Sequence, residues 1–192
     1  MIRTSVATFA FALAACSPPA SEQPAAEAAP AQEASASGCV VTANPRELQF
    51  GGETYRVEAR AEGASCEEAV ASLRLLNPAG TAIFETAYPT NQVPLAFRAA
   101  GADEARLTEE LNAWTANVAQ QPTADSLPAW PEGAERPQYF TPAIGRDGYE
   151  AARSAQRPLF CFPDGGESNA CVAIDTSAKT AVLLGAWTPE RQ

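Results

Sequence analysis

Tyr55-Arg56-Val57-Glu58-Ala59-Arg60 alternates apolar and charged side chains one by one. A period of two is what a strand shows when one face meets a core and the other meets water. Just upstream, Leu48-Gln49-Phe50 is followed by Gly51-Gly52, a turn signal, so the two runs form a hairpin. Downstream, residues 73–76 and 81–88 flank Asn77-Pro78-Ala79-Gly80. That tetrapeptide has type I turn chemistry: Asn first, Pro with its preset φ second, Gly last. A second hairpin follows.

Residues 103–120 read as the main helix. Leu107, Leu111, Trp114 and Val118 make one apolar stripe, Asp103 and Glu104 favour its positive end, and Pro122 lies just beyond. Prolines recur through residues 122–142, an irregular crossing. Gly145-Arg146-Asp147-Gly148 reads as a turn, and residues 149–156 as a short helix. Residues 159–162, 171–175 and 180–187 return to strand. The expected fold class is α+β: a mainly antiparallel sheet with one principal amphipathic helix on one face.

Five cysteines stand at Cys16, Cys39, Cys66, Cys161 and Cys171. The last four make an even set, and in an oxidising compartment such sets pair. Cys161 and Cys171 bracket a loop that turns the chain between two strands. Cys39 and Cys66 bracket the first hairpin. The expected bridges are therefore Cys39–Cys66 and Cys161–Cys171.

The compartment is argued from the start of the chain. Met1-Ile2-Arg3-Thr4 carries one positive charge, and an apolar run from 6 to 15 follows, broken only by Thr8. As a helix it would rise about 15 Å, half of what a bilayer core requires. It has the layout of a signal peptide. The run ends Leu13-Ala14-Ala15-Cys16, which closely resembles the bacterial lipobox. The resemblance covers about sixteen residues. It implies cleavage before Cys16, a diacylglyceryl group on its thiol and often a further chain, such as palmitate, on its amine. Two or three acyl chains hold durably where one does not. Ser17, in place of aspartate, implies by the same resemblance the outer membrane, facing the periplasm. Residues 1–15 are thus the expected signal peptide and 39–192 the expected single periplasmic domain. Between them, 16–38 are a lipidated start and an Ala/Pro/Glu linker too poor in apolar groups to order itself. As a coil, that linker spans about 25 Å.

Composition restricts the chemistry. The formal charge is −10, with twelve arginines, one lysine and no histidine. An acidic chain without a basic stripe is repelled by nucleic acid, whereas a basic partner is drawn to it. Lacking histidine, the chain has neither Ser-His-Asp nor Cys-His nucleophile systems, nor His-ligated zinc. Gly166-Glu167-Ser168-Asn169-Ala170 superficially resembles the hydrolase nucleophile elbow, but the base is missing. Glu67-Glu68 and Glu109-Glu110 read as solvated or capping carboxylates, Ser65-Cys66-Glu67-Glu68 having capping-box spacing. Trp114, Trp130 and Trp187 read as core aromatics, with Trp130, between prolines, the one placed to meet a ligand. No cofactor or metal is expected.

The expectation is a membrane-anchored, non-enzymatic module binding a basic envelope protein or a glycan. Asp164, Glu167 and Trp130 are its candidate binding-loop residues. The alternatives are an inhibitor of a basic, lysozyme-like hydrolase, in which the 162–170 loop is inserted, and a carboxylate-based hydrolase.

Overall fold

Gly51 and Gly52 make the expected hairpin turn with φ of 61° and 82°. Positive φ at both central residues matches the twist of the flanking strands. The turn joins β2 (Arg46–Phe50) to β3 (Glu53–Gly63). In β3, Tyr55, Val57, Ala59 and Ala61 are buried, while Arg56, Arg60 and Glu62 are exposed. The computed structural model describes residues 38–90, 103–165 and 168–187. Cys16, the tether and Glu167 lie outside these.

The second hairpin also forms, between β4 (Val70–Leu76) and β5 (Ala82–Pro89). Asn77 organises its turn: its carbonyl accepts from Gly80 N–H at 2.8 Å. Its side-chain oxygen accepts from the N–H groups of Ala79 and Thr81, each at 3.0 Å. A strand absent from the sequence reading, β1 (Cys39–Thr42), precedes β2, and both run antiparallel to β3. Residues 39–50 are in effect one strand interrupted at Ala43-Asn44-Pro45, where proline supplies no N–H to the ladder.

The expectation of a single sheet needs enlarging. These five strands form one antiparallel sheet, and a second has the order β6-β8-β9-β10-β7. Its members are β6 (Ala119–Gln121), β7 (Phe140–Pro142), β8 (Leu159–Pro163), β9 (Asn169–Asp175) and β10 (Thr180–Trp187). The reason lies in β8 and β9. Leu159 through Phe162 and Ala170 through Ile174 are buried at every position. Such runs need cover on both faces, so they cannot extend a sheet whose outer face carries Arg56, Glu58, Arg60 and Glu62. Instead Phe160 and Phe162 meet the inner face of the first sheet, their rings 6.0 and 5.9 Å from that of Phe84. The fold class stands: α+β, mainly antiparallel and stapled by two disulfides.

The main helix, α1 (Glu104–Ala116), starts as read, with the Asp103 side chain accepting from Arg106 N–H at 2.8 Å. It stops at Ala116 rather than Gln120, because residues 119–121 pair with β8. Leu107, Leu111 and Trp114 are buried against β1, β3 and β8. The Trp114 indole N–H donates to the Pro163 carbonyl at 2.7 Å. No basic residue stands in the helix's last turn, and the Arg46 guanidinium of β2 donates to the Ala116 carbonyl there. Asn44 N–H donates to Asn112 Oδ1 at 2.7 Å. The Gln120 carboxamide exchanges two bonds with the Gln49 backbone, at 3.2 and 2.7 Å.

A third layer covers the other face of the second sheet. It contains α2 (Arg146–Ser154), which begins earlier than the expected short helix: the Arg146-Asp147-Gly148 stretch read as a turn is its first turn. Tyr149 is fully buried and its hydroxyl donates to the Pro128 carbonyl at 2.7 Å. Burial pushes its pKa up to about 12. Glu150 accepts from Trp130 N–H at 2.9 Å and pairs with Arg153 at 2.9 Å. That backbone bond, more than the arginine, holds its carboxyl below the ordinary value of 4.5. A carboxylate lowered in the fold stabilises above its unfolded pKa, and this is lost as pH falls through the folded one. Glu150→Gln is therefore expected to flatten the decline in stability below about pH 4.5. Urea titrations stepped from pH 6 towards pH 3 measure it, and identical declines in both proteins would exclude this carboxylate as a source.

Both disulfides join the expected partners, with Cα separations of 4.9 Å for Cys39–Cys66 and 4.1 Å for Cys161–Cys171. Their sequence separations are 27 and 10 residues. Loop-closure entropy assigns them roughly 3.5 and 2.5 kcal/mol respectively.

Candidate functional site

Cys161 and Cys171 stand directly opposite each other in the β8–β9 ladder. Their bridge lies on the face of the second sheet turned away from the first, within the smaller of the two hydrophobic clusters. Two residues along the ladder from Cys171, on the same face, Asn169 pairs with Trp187 of β10. On the opposite flank, Ala119 of β6 pairs with Cys161. A 3-10 turn at Ala124–Ser126 then carries Leu127 over the sheet. These pieces enclose a groove of about 380 Å³ lined by Ala119, Gln121, Ser126, Leu127, Cys161, Asn169, Cys171 and Trp187. The volume falls within the range of small-molecule sites, about 300–1,000 Å³.

The groove is distinctive in two ways. Among the described residues, none that lines it is ionisable, although 19% of the chain is charged. Its floor is the nearly inaccessible disulfide, and its mouth carries Trp187, 37% exposed. The three tryptophans differ in how their N–H groups are used. Trp114 donates to Pro163, and Trp130 to the Ala134 carbonyl at 2.9 Å. Among the described residues, the Trp187 N–H and the side-chain carboxamides of Gln121 and Asn169 have no hydrogen-bond partner.

The position of Trp187 is set by a backbone feature two residues earlier. Gly185 has φ of 148°, and a Cβ there would lie 2.2 Å from the Thr141 carbonyl oxygen and 2.7 Å from Pro142 Cα. Only glycine lets β7 come this close to β10. Beyond it, Trp187 pairs with Phe140 on one side and Asn169 on the other.

The residues singled out by sequence are dispersed. Trp130 is half-buried against the second cluster, its ring edge-on to Tyr149 at 5.8 Å. Asp164, after β8, accepts from the Ser168 hydroxyl, which also donates to the Gly165 carbonyl at 3.0 Å. Ser168 is thus a turn residue, and the segment after it enters β9 rather than a helix. Ser65 Oγ accepts from Glu68 N–H at 3.3 Å in a turn, not at a helix start. Glu109 and Glu110 pair with Arg106 on α1 at 3.1 and 3.5 Å. Lys179 closes the β9–β10 turn and pairs with Glu53. Trp187 was read as core; its period-two place in β10 gave no sign that the sheet's neighbouring layer ends short of it.

Among the described residues three carboxyl groups are displaced, all downwards. The Thr123 hydroxyl holds Asp125 low, the Trp130 N–H holds Glu150 low, and the Ala178 N–H holds Asp175 low. Each is an anion fixed by local hydrogen bonds, opposite in sense to a general acid raised towards neutrality. Among the described residues, no three His, Cys, Asp or Glu side chains come together as a metal site. No described helix is long and apolar enough to cross a membrane. No protein-family model, curated protein or solved structure matches the chain.

Proposed function

We propose that this chain is a lipid-anchored envelope protein whose folded part is a non-enzymatic binding module, held by acyl chains on Cys16 at the periplasmic face of the outer membrane. The observation that carries the binding reading is the groove beside Trp187, whose described lining is uncharged and whose Gln121 and Asn169 carboxamides have no partner among the described residues. The anchor rests on Leu13-Ala14-Ala15-Cys16 and the tether on residues 17–38. Its consequence is a site standing off the bilayer by about the tether's 25 Å span.

Metabolic labelling with an alkyne palmitate tests the anchor. The wild-type chain is expected to take up label and fractionate with outer membranes. Cys16→Ser is expected to take up none and to leave the membrane fraction. An unlabelled wild type, or a variant that stays membrane-bound, would remove the anchor.

One observation favours a second reading, the inhibitor of a basic hydrolase. The hairpin around residue 164 is held by the Cys161–Cys171 bridge, by Trp114 on Pro163 and by Ser168 on Asp164, as an inserted loop would need. Asp164→Lys together with Glu167→Lys should then abolish inhibition of a panel of basic hydrolases.

A further inference from the structure

We infer, on the basis of the binding-module reading, that the groove is a subsite for one uncharged sugar ring of a glycan, stacked on Trp187 and hydrogen-bonded by Gln121 and Asn169. Charge is the first argument. An ionic ligand group entering a cleft without a counter-charge would lose its hydration and gain nothing comparable. Among the described residues the lining of this groove offers none, in a chain otherwise rich in arginine and glutamate.

The polar groups give the second argument. A carboxamide both donates and accepts, as does a sugar hydroxyl, so one amide can bridge two neighbouring hydroxyls. Gln121 and Asn169 stand on opposite flanks of the disulfide, one on β6 and one on β9. A ring lying over the bridge has an amide at either side. The indole N–H of Trp187 adds a donor at the mouth.

Shape gives the third. A pyranose ring presents C–H groups on its faces and hydroxyls around its rim. An exposed indole covers such a face, and the sulfur-lined floor with Leu127 and Ala119 takes the other without demanding hydrogen bonds. The groove is partly open to solvent rather than an enclosed cavity, so the rest of a glycan chain can continue outward. An extended peptide is less well served. It would need backbone partners along a free strand, whereas β6 is three residues long and is already tied to β2 by Gln120.

The experiment uses the full chain in detergent with its indole and carboxamide N–H groups observed by NMR. The probes are cellotriose, maltotriose and the trimer of N-acetylglucosamine, alongside an extended Ala/Ser hexapeptide and an acidic trigalacturonate. At least one neutral trimer is expected to shift the Trp187 indole signal saturably, together with Gln121 and Asn169, leaving Trp114 and Trp130 unmoved. Trp187→Ala is expected to weaken that binding at least about tenfold, and Gln121→Ala or Asn169→Ala about fivefold each. Unchanged affinity in Trp187→Ala would overturn the inference. Shifts produced only by the peptide or the acidic sugar would overturn it while leaving the binding module standing. Silence from all five probes would overturn both the inference and the groove as the module's site.

Discussion

Gly185→Ala is expected to cost about 2–6 kcal/mol and to loosen β7 from the second sheet. Two terms add. A side chain at φ of 148° is strained by about 1–3 kcal/mol wherever it is placed. The added methyl also meets the Thr141 carbonyl oxygen at 2.2 Å and the Phe140 ring at 2.6 Å. Both are backbone or packed atoms, so relief requires moving a strand, an overpacking cost of about 1–3 kcal/mol. Gly185 pairs with Cys171 as well as with Pro142, so the disturbance reaches the groove floor and the seat of Trp187 together. Urea unfolding gives the loss, and Trp187 fluorescence should shift towards its solvent-exposed limit in the still-folded variant. A change within 1 kcal/mol of wild type would contradict the close approach of β7.

Trp114→Ala should be comparably damaging, at about 3–5 kcal/mol. This side chain is 1% exposed and touches β5 and β8. Its ring lies edge-on to Tyr88 at 6.1 Å and to Phe162 at 6.3 Å, joining α1 to both sheets. Removing it leaves a cavity where the layers meet and strands the Pro163 carbonyl, which adds to the loss. Trp114→Phe separates the two: it keeps most of the ring and drops the hydrogen bond, for about 1–2 kcal/mol. Since a typical domain has about 5–15 kcal/mol in total, the alanine variant should be largely unfolded at moderate urea. Equal losses in Ala and Phe variants would mean that the hydrogen bond, not the packing, governs the site.

Those two positions mark what was legible in the sequence and what was not. Tyr55 to Arg60, the Gly51-Gly52 turn and the Asn77 turn are local devices, and each appears where the residue pattern put it. Trp114 followed from helical spacing. The cysteine pairs followed because each brackets a hairpin, and antiparallel pairing brings bracket ends together. What failed to show was arrangement over long distances. The continuous apolar run from Leu159 to Phe162 identifies a strand but does not say which layers cover its two faces. Helix α1 was read four residues too long because Val118 continues its stripe, while pairing of 119–121 with β8 took the backbone first. The groove was least visible. Its parts come from positions 119 to 187, and nothing in Gln121 or Asn169 distinguishes them from ordinary surface amides until the ladder places them on either side of the bridge.

The interrupted strand at residues 39–50 has a consequence for life at high surface density. On the proposed anchor, copies would share a plane and collide often, and an unfilled row of peptide groups would let one copy template the next into a growing fibre. Here Pro45 breaks that row, Asn112 occupies the Asn44 amide, and Gln120 occupies both groups of Gln49. Along this border a newcomer finds Asn44 and Gln49 already taken, which disfavours edge-to-edge pairing.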